Sequence, residues 1–241
     1  AISILTTFGI LFSILFEAIE FFKLRSFWYF ITGTTWSPGV IDSQFGALPI
    51  FAGTFVITVI ALGVAIPIGL GSAIYMSEYA SPKLRDYLKP LLEVLAGIPS
   101  VVYGFFAAIT VAPLVVKIAE AIGLEATFNS ALASGVVMGI MIIPTISALS
   151  DDVIRSVPDS QRKASFGLGM THGETIRDIV LPSAMPGIIS ASLLALSKAL
   201  GETMVVVMAA GLRPNLSWNP REDMTTVTVT IVNALVGDFE F

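Results

Sequence analysis

The chain has 241 residues, of which 55% are hydrophobic and only 13% are charged, with a net charge of −5 at pH 7. Soluble domains average about 25% charged residues, so these charges are too few to solvate a globule of this size. Cysteine is absent and histidine occurs once, which excludes disulfides, thiolate metal sites and histidine-rich metal sites. The acidic balance also argues against nucleic-acid binding. Composition therefore indicates an integral membrane protein.

Long uncharged stretches predict an all-α protein with five membrane-spanning helices. Asp, Glu, Lys and Arg are absent from residues 43–77, 94–116 and 126–150. Each stretch can hold the roughly 20 apolar residues that cross the hydrocarbon, where a helix satisfies its own backbone. The spans are predicted at about residues 1–22, 48–75, 90–116, 129–150 and 184–211.

The two ends of the chain carry separate predictions. Residues 1–16 are uncharged and follow no basic segment, so we predict no signal peptide and expect the chain to begin inside its first membrane helix. Residues 224–237 are too short to cross a bilayer. They are either an amphipathic surface helix or the approach to a sixth span that we expect to be missing from this chain.

The distribution of Lys and Arg predicts which loops face the cytoplasm. The loops at 76–89 and 151–183 hold seven of these residues, whereas the loops on the opposite side hold five. Short cytoplasmic loops are enriched in Lys and Arg, so these two loops and the N-terminus are predicted to lie inside. The segments 23–46 and 212–241 are then predicted to lie outside.

The loop between the fourth and fifth spans, residues 156–182, predicts two short helices joined by a sharp turn. Pro158 suits the first position of a helix. Gly169 can adopt the left-handed conformation that ends a helix. Thr171 and Glu174 match a capping box that would start the next helix. The pattern predicts a compact cytoplasmic projection between two spans.

This 156–182 loop resembles the signature of the transmembrane subunits of binding-protein-dependent ABC importers. That signature is Glu-Ala-Ala, three residues, Gly, nine residues and Ile-x-Leu-Pro, and both spacings are kept here. The matching positions are Lys163, Ala164, Ser165, Gly169, Ile179, Leu181 and Pro182, with departures at the first and third of them. The resemblance implies a coupling helix that sits in a groove of a separate ATP-binding subunit. The alternative is a capped hairpin with no docking role.

Two charges lie near the middle of the fifth predicted span. Lys198 and Glu202 are four residues apart and would share one face of a continuous helix. Pro182 and Pro186 are predicted to break the path that leads from the loop into this membrane helix. A charge at the bilayer centre costs about 2.5 kcal/mol or more, so such residues normally face a bundle interior or a water-filled path. We predict that Lys198 attracts an oxyanion in transit. Glu202 would fix the lysine and accept a hydrogen bond from a protonated anion. The alternative is a neutralised pair that only pins helix packing.

Three longer stretches are similar to the first permease subunit of phosphate importers, the PstC-like branch of this family. They are FGALPIFAGT (45–54), YMSEYASPKLRDYLKPLLEVLAGIPSVVYGF (75–105) and LSKALGETM (196–204). The resemblance implies one transmembrane permease domain over residues 1–241 with the type I ABC importer arrangement, in which a final membrane helix follows. The branch usually has Arg where this chain has Lys198, so the bidentate fork for phosphate is missing here.

The resemblance also implies partners and an energy source. It implies a second homologous, PstA-like permease and two ATP-binding subunits that hold ATP and Mg. It further implies a periplasmic or extracellular phosphate-binding protein and a multi-pass position in the lipid of the bacterial inner membrane. ATP binding would move the 156–182 loop and open the path alternately outward and inward. The resemblance implies a translocation subunit that is not an enzyme and holds no cofactor. This chain has no GxxxxGK[ST] loop and cannot bind ATP by that mechanism, so its energy is expected to come from a partner.

Other functions remain open at this point. Sulfate, molybdate or tungstate would suit one buried cation as well as phosphate does. A secondary carrier, in which Lys198 and Glu202 relay protons or ions, is the competing class. Such carriers commonly contain inverted repeats, and no duplication is visible in this sequence. A scaffold without transport function fits poorly with a lysine inside a membrane span.

Overall fold

The computed structural model describes residues 2–39 and 43–236, and most of these residues are helical. In chain order the helices are α1 (Ile2–Leu24), α2 (Phe27–Thr32), α3 (Leu48–Ile74), α4 (Pro82–Ala96), α5 (Ser100–Phe106), α6 (Ala112–Ala121), α7 (Ala131–Ser156), α8 (Asp159–Gly167), α9 (His172–Thr175), α10 (Leu181–Leu200), α11 (Met204–Ala209) and α12 (Val227–Val236). One antiparallel pair of strands, β1 (Trp36–Ser37) and β2 (Gln44–Phe45), precedes α3. Single π-helical turns extend α3 (Tyr75–Tyr79), join α5 to α6 (Ala107–Val111) and join α9 to α10 (Ile176–Val180).

Five helical segments are long and apolar enough to cross a membrane, which confirms the predicted number of spans within the described residues. They are Ile4–Leu24, Leu48–Tyr79, Ser100–Ala121, Ala131–Ser156 and His172–Leu200. The helix α12 is apolar but has only 10 residues. The assignment of the two ends of the bundle to cytoplasm and exterior stays a prediction.

The third predicted span, residues 90–116, is wrong at its start. The helix α4 ends at Ala96 and has no buried residue, and α5 begins only at Ser100. Pro99 explains the interruption, because its ring excludes an N–H donor and disfavours helical backbone at the residue before it. The membrane helix therefore starts after Pro99, and α4 is a separate helix beside the end of α7.

The core of the bundle lies where α3 packs against α7, and glycines allow the two backbones to approach closely. A Cβ atom built on Gly69, Gly135 or Gly139 would lie 2.9, 2.8 and 2.8 Å from atoms of Ile146, Ile60 and Ala61, respectively. Small residues at such crossings are typical of membrane helices, whose association depends on van der Waals packing rather than on the hydrophobic effect. A hydrogen bond of 3.0 Å from the Ser147 hydroxyl to that of Ser72 adds to this contact.

The segment 212–223 folds back over the start of α7. The backbone N–H of Ala131 donates to the carbonyl of Glu222 at 3.1 Å, which satisfies one of the free donors at a helix N-terminus. Hydrogen bonds from Ser217 and Asn219 hold the pKa of the Glu222 carboxyl below its ordinary value. This part of the predicted external segment is therefore an ordered cap on the bundle.

The two predicted external segments are only partly described. Residues 40–42 of the segment 23–46 and residues 237–241 of the segment 212–241 lie outside the described residues. The stretch that leads into α12 is buried, with Met224, Thr225 and Thr226 exposed by 0%, 2% and 4%. It is therefore not a surface helix over its whole length, and its role as an approach to a sixth span stays a prediction.

Candidate functional site

The predicted fifth span is interrupted at the point where its two charges lie. The helix α10 ends at Leu200 and α11 begins at Met204, so residues 201–203 form a helix break. Lys198 lies in the last turn of α10, and Glu202 lies in the helix break. The prediction that both share one face of a continuous helix is therefore wrong. Gly201 weakens the helix at this point because glycine has a low helix propensity.

Glu202 caps the short helix that follows the break. Its carboxylate oxygen Oε1 accepts hydrogen bonds from the backbone N–H groups of Met204 at 3.1 Å and Val205 at 3.4 Å. These N–H groups belong to the first turn of α11, where intrahelical partners are missing and a negative charge is favourable. Both bonds use Oε1, which leaves Oε2 without a hydrogen bond among the described residues.

Lys198 is exposed on the outer face of α10 in the isolated chain. Within residues 2–39 and 43–236 it forms no ion pair, so the structure contains neither the predicted fixing by Glu202 nor the neutralised pair. The last turn of a helix favours a cation because of the helix dipole. A lysine in hydrocarbon is costly, so this face of α10 must meet water or another protein.

The 156–182 loop has the predicted two-helix form. The helix α8 begins at Asp159, with Pro158 as its N-terminal flanking residue rather than its first helical position. Gly169 has φ +86°, the left-handed conformation that the pattern predicts. The capping box is present: Thr171 N–H donates to Glu174 Oε2 at 2.8 Å, and Glu174 N–H donates to Thr171 Oγ1 at 3.4 Å.

The predicted coupling residues fall into an exposed group and a structural group. Lys163, Ala164 and Gly169 are exposed on the loop. Ser165 is 2% exposed, and its hydroxyl bonds that of Thr175 at 2.6 Å, which ties α8 to α9. The remaining positions Ile179, Leu181 and Pro182 lie in the π turn and the first turn of α10.

Pro182 and Pro186 do not break the path into the membrane, which corrects that prediction. A continuous helix runs from His172 through the π turn and both prolines to Leu200. Pro182 lies in the first turn of α10, where its fixed φ is compatible with a helix. The 156–182 loop is therefore joined to the turn that holds Lys198 by one helix of 29 residues.

An ion pair that the sequence did not reveal fastens the loop to the second span. Arg162 contacts both carboxylate oxygens of Glu78 at 2.5 and 2.7 Å, and it donates to the Ile154 carbonyl at 2.9 Å. The Glu78 side chain is 5% exposed, and His172 Nε2 lies 3.8 Å from it. Glu78 and Arg162 are 84 residues apart, so no local pattern could have paired them. The pair therefore links the loop directly to the end of α3.

A second buried pair lies where α4 meets α7, and it yields a prediction of stability. Arg85 lies 2.7 Å from Asp151, whose side chain is 2% exposed. Replacing Arg85 with Met leaves the carboxylate buried and unpaired, so we expect a loss of about 3 kcal/mol. Lys89 and Asp152 form a nearby exposed pair at 3.0 Å, and Lys89→Met should cost less than about 1 kcal/mol. Thermal unfolding in detergent compares the two variants, and equal losses would contradict this assignment.

Five apolar spans, a two-helix loop on one end of the bundle and a charged helix break define a multi-pass membrane permease. Residues 65–217, which include both the loop and the break, match the family described as binding-protein-dependent transport system inner membrane component. The chain belongs to this family. It is therefore a translocation component of the bacterial cytoplasmic membrane and not an enzyme.

Named relatives cover most of the chain. It is 36% identical to "Probable ABC transporter permease protein YqgH" of Bacillus subtilis, over 86% of this chain and 66% of that protein. It is 35% identical to "Phosphate transport system permease protein PstC" of Mesorhizobium japonicum, over 87% of this chain and 69% of that protein. It is 33% identical to "Phosphate transport system permease protein PstC 1" of Mycobacterium bovis, over 91% of this chain and 73% of that protein. The chain thus spans 66–73% of the length of these relatives.

Proposed function

We propose that this chain is a permease subunit of an ATP-driven importer that moves inorganic phosphate across the cytoplasmic membrane. The observation that carries the proposal is Lys198, a cation without an ion-pair partner in the described residues, in the last turn before a membrane helix break. Two of the relatives named above are phosphate transport permeases, which supports the choice of anion.

The helix break offers complementary groups to a partly protonated oxyanion. The ammonium group of Lys198 attracts the negative charge, and it is available because no carboxylate neutralises it in the described part of the chain. Glu202 Oε1 is occupied by the backbone of α11, whereas Oε2 can accept a hydrogen bond. Phosphate keeps a proton near neutral pH and can donate that bond. Sulfate is fully ionised and cannot.

The proposal assigns a partner to each open face of the subunit. The face of α10 that carries Lys198 would meet a second homologous, PstA-like permease, so that the path runs between the two. The 156–182 loop would dock on one of two ATP-binding subunits, which hold ATP and Mg. The external end would receive phosphate from a separate binding protein, and lipid would cover the remaining apolar surface.

The continuous helix that joins the loop to Lys198 supports a mechanism of alternating access. Its 29 residues extend over about 40 Å at 1.5 Å per residue, so a displacement of the loop reaches the helix break through a rigid element. The ion pair of Arg162 with Glu78 carries the same displacement to α3. ATP binding would thus move two spans together and expose Lys198 to one side of the membrane at a time.

ATP-dependent uptake of labelled phosphate by the complete complex in proteoliposomes tests the proposal. We expect uptake that requires ATP inside the vesicles and external binding protein, and that an equal concentration of sulfate leaves unchanged. Competition by sulfate, molybdate or tungstate would assign the permease to another oxyanion. Uptake at full rate without nucleotide would instead indicate a secondary carrier.

A further inference from the structure

Threonine hydroxyls join the helix break to two other helices. The Thr228 hydroxyl of α12 donates to the carbonyl of Glu202 at 2.9 Å, and its oxygen lies 3.0 Å from the hydroxyl of Thr226. At the start of α12, the Val227 N–H donates to the hydroxyl of Thr54 in α3 at 3.1 Å. One short polar network therefore connects α3, the start of α12 and the break.

A break inside a membrane helix releases backbone groups that need new partners, because hydrocarbon offers none. Glu202 supplies acceptors for the free N–H groups of α11 through its own side chain. It has no means of satisfying its own carbonyl. Thr228 provides that donor from another helix, and it does so without adding a charge.

We propose that Thr228 is a positioning residue that holds residues 201–203 in place and thereby sets the positions of Glu202 and Lys198. Thr228 acts through the backbone carbonyl of Glu202 and has no contact with the solute in this account. What the positioned groups do for transport rests on the proposed function. The claim that Thr228 holds the break in place is independent of the proposed function.

The same helix offers a matched control. Thr230 is 8% exposed and lies two residues from Thr228, but its hydroxyl donates to the backbone carbonyl of Thr226 within its own chain segment, at 2.9 Å. Removing that hydroxyl perturbs α12 without freeing a group of the break. Thr228→Val and Thr230→Val therefore make the same chemical change with different expected consequences.

The absence of cysteine from the chain allows a direct readout of the break. Ser197 is exposed on α10 next to Lys198, so Ser197→Cys creates a single reporter thiol within these 241 residues. This thiol is labelled with an anionic methanethiosulfonate reagent in the assembled complex, whose partner subunits lack cysteine. The labelling rate depends on the position of the Lys198 ammonium group, which attracts the anionic reagent. Phosphate uptake by the same complexes, without the reporter, gives the functional readout.

We expect Thr228→Val to change the labelling rate and to lower maximal phosphate uptake, each by about tenfold, as the loss of one partly buried hydrogen bond predicts. Thr228→Ser should restore both, because serine keeps the donor. Thr230→Val should leave the labelling rate and the maximal uptake close to those of the unmodified complex. The thermal midpoint of the complex checks that every variant is folded.

An unchanged labelling rate in Thr228→Val would overturn the inference, whatever the transport result. Equal changes in Thr230→Val would also overturn it, because they would indicate a general effect on α12. A labelling change in Thr228→Val alone, in a complex that transports no phosphate even when unmodified, would support the positioning role and reject the proposed function. The two claims can therefore fail separately.

Discussion

Replacing Lys198 with Met should lower ATP-dependent phosphate uptake by about a hundredfold, the effect of losing a charged hydrogen bond worth about 3 kcal/mol. Methionine keeps an unbranched apolar stem as far as the Cε atom of lysine, so the change is chiefly the loss of the ammonium group. Lys198 is exposed and has no ion pair within the described residues, so its replacement breaks no ion pair in that part of the chain. The loss should therefore appear in uptake and leave the thermal midpoint and the content of partner subunits unchanged.

Lys198→Arg is the informative companion to this variant. Arginine keeps the positive charge and adds a planar fork that suits phosphate geometry. We expect it to retain uptake within about tenfold of the unmodified complex, because charge is the dominant requirement for an anion in a medium of low dielectric constant. Full uptake by Lys198→Met in an intact complex would remove this residue from the path. Equal losses in both variants would show that the shape of lysine matters and not its charge.

The number of spans and the form of the 156–182 loop were predictable because both depend on local composition. Hydrocarbon imposes a length and an apolar character on each spanning helix, and these are visible in a single sequence. In the loop, Gly169, Thr171 and Glu174 form their turn and capping bonds within a few residues of one another. Such bonds need no information from the rest of the fold.

The helix break and the ion pairs depend on distant residues, and the sequence did not reveal them. A single glycine in a helix costs only about 1 kcal/mol, so Gly201 alone does not predict that α10 ends there. The carbonyl of Glu202 in the break is bonded by Thr228, which is 26 residues away. In the same way, Glu78 and Arg162 approach each other only after α3 and α7 have packed. The error on Pro182 has a different, local origin, since a proline in the first turn of α10 is compatible with the helix.

Gly169→Val should uncouple the permease from its ATP-binding subunit. Gly169 has φ +86°, and a Cβ atom at this position would meet nothing within 4 Å, so the substitution acts through backbone strain and not through a clash. Left-handed backbone costs an L-residue about 1–2 kcal/mol, and a β-branched residue more. The turn between α8 and α9 would open, and the exposed positions Lys163 and Ala164 would leave their docking geometry. We expect the ATP-binding subunit retained on purified permease to fall by about tenfold, together with uptake.

Gly167 supplies the control for that experiment. It is the last residue of α8, it is exposed, its φ is not positive, and a Cβ atom there also meets nothing within 4 Å. Gly167→Val therefore adds the same side chain two residues away without requiring a left-handed backbone, and it should retain most of the partner subunit. Gly169→Asn should also retain it, because asparagine tolerates the left-handed conformation. If all three variants kept the partner and transported normally, the loop would be a capped hairpin with no docking role. If all three lost it, the surface of the loop and not the conformation of its turn would determine docking.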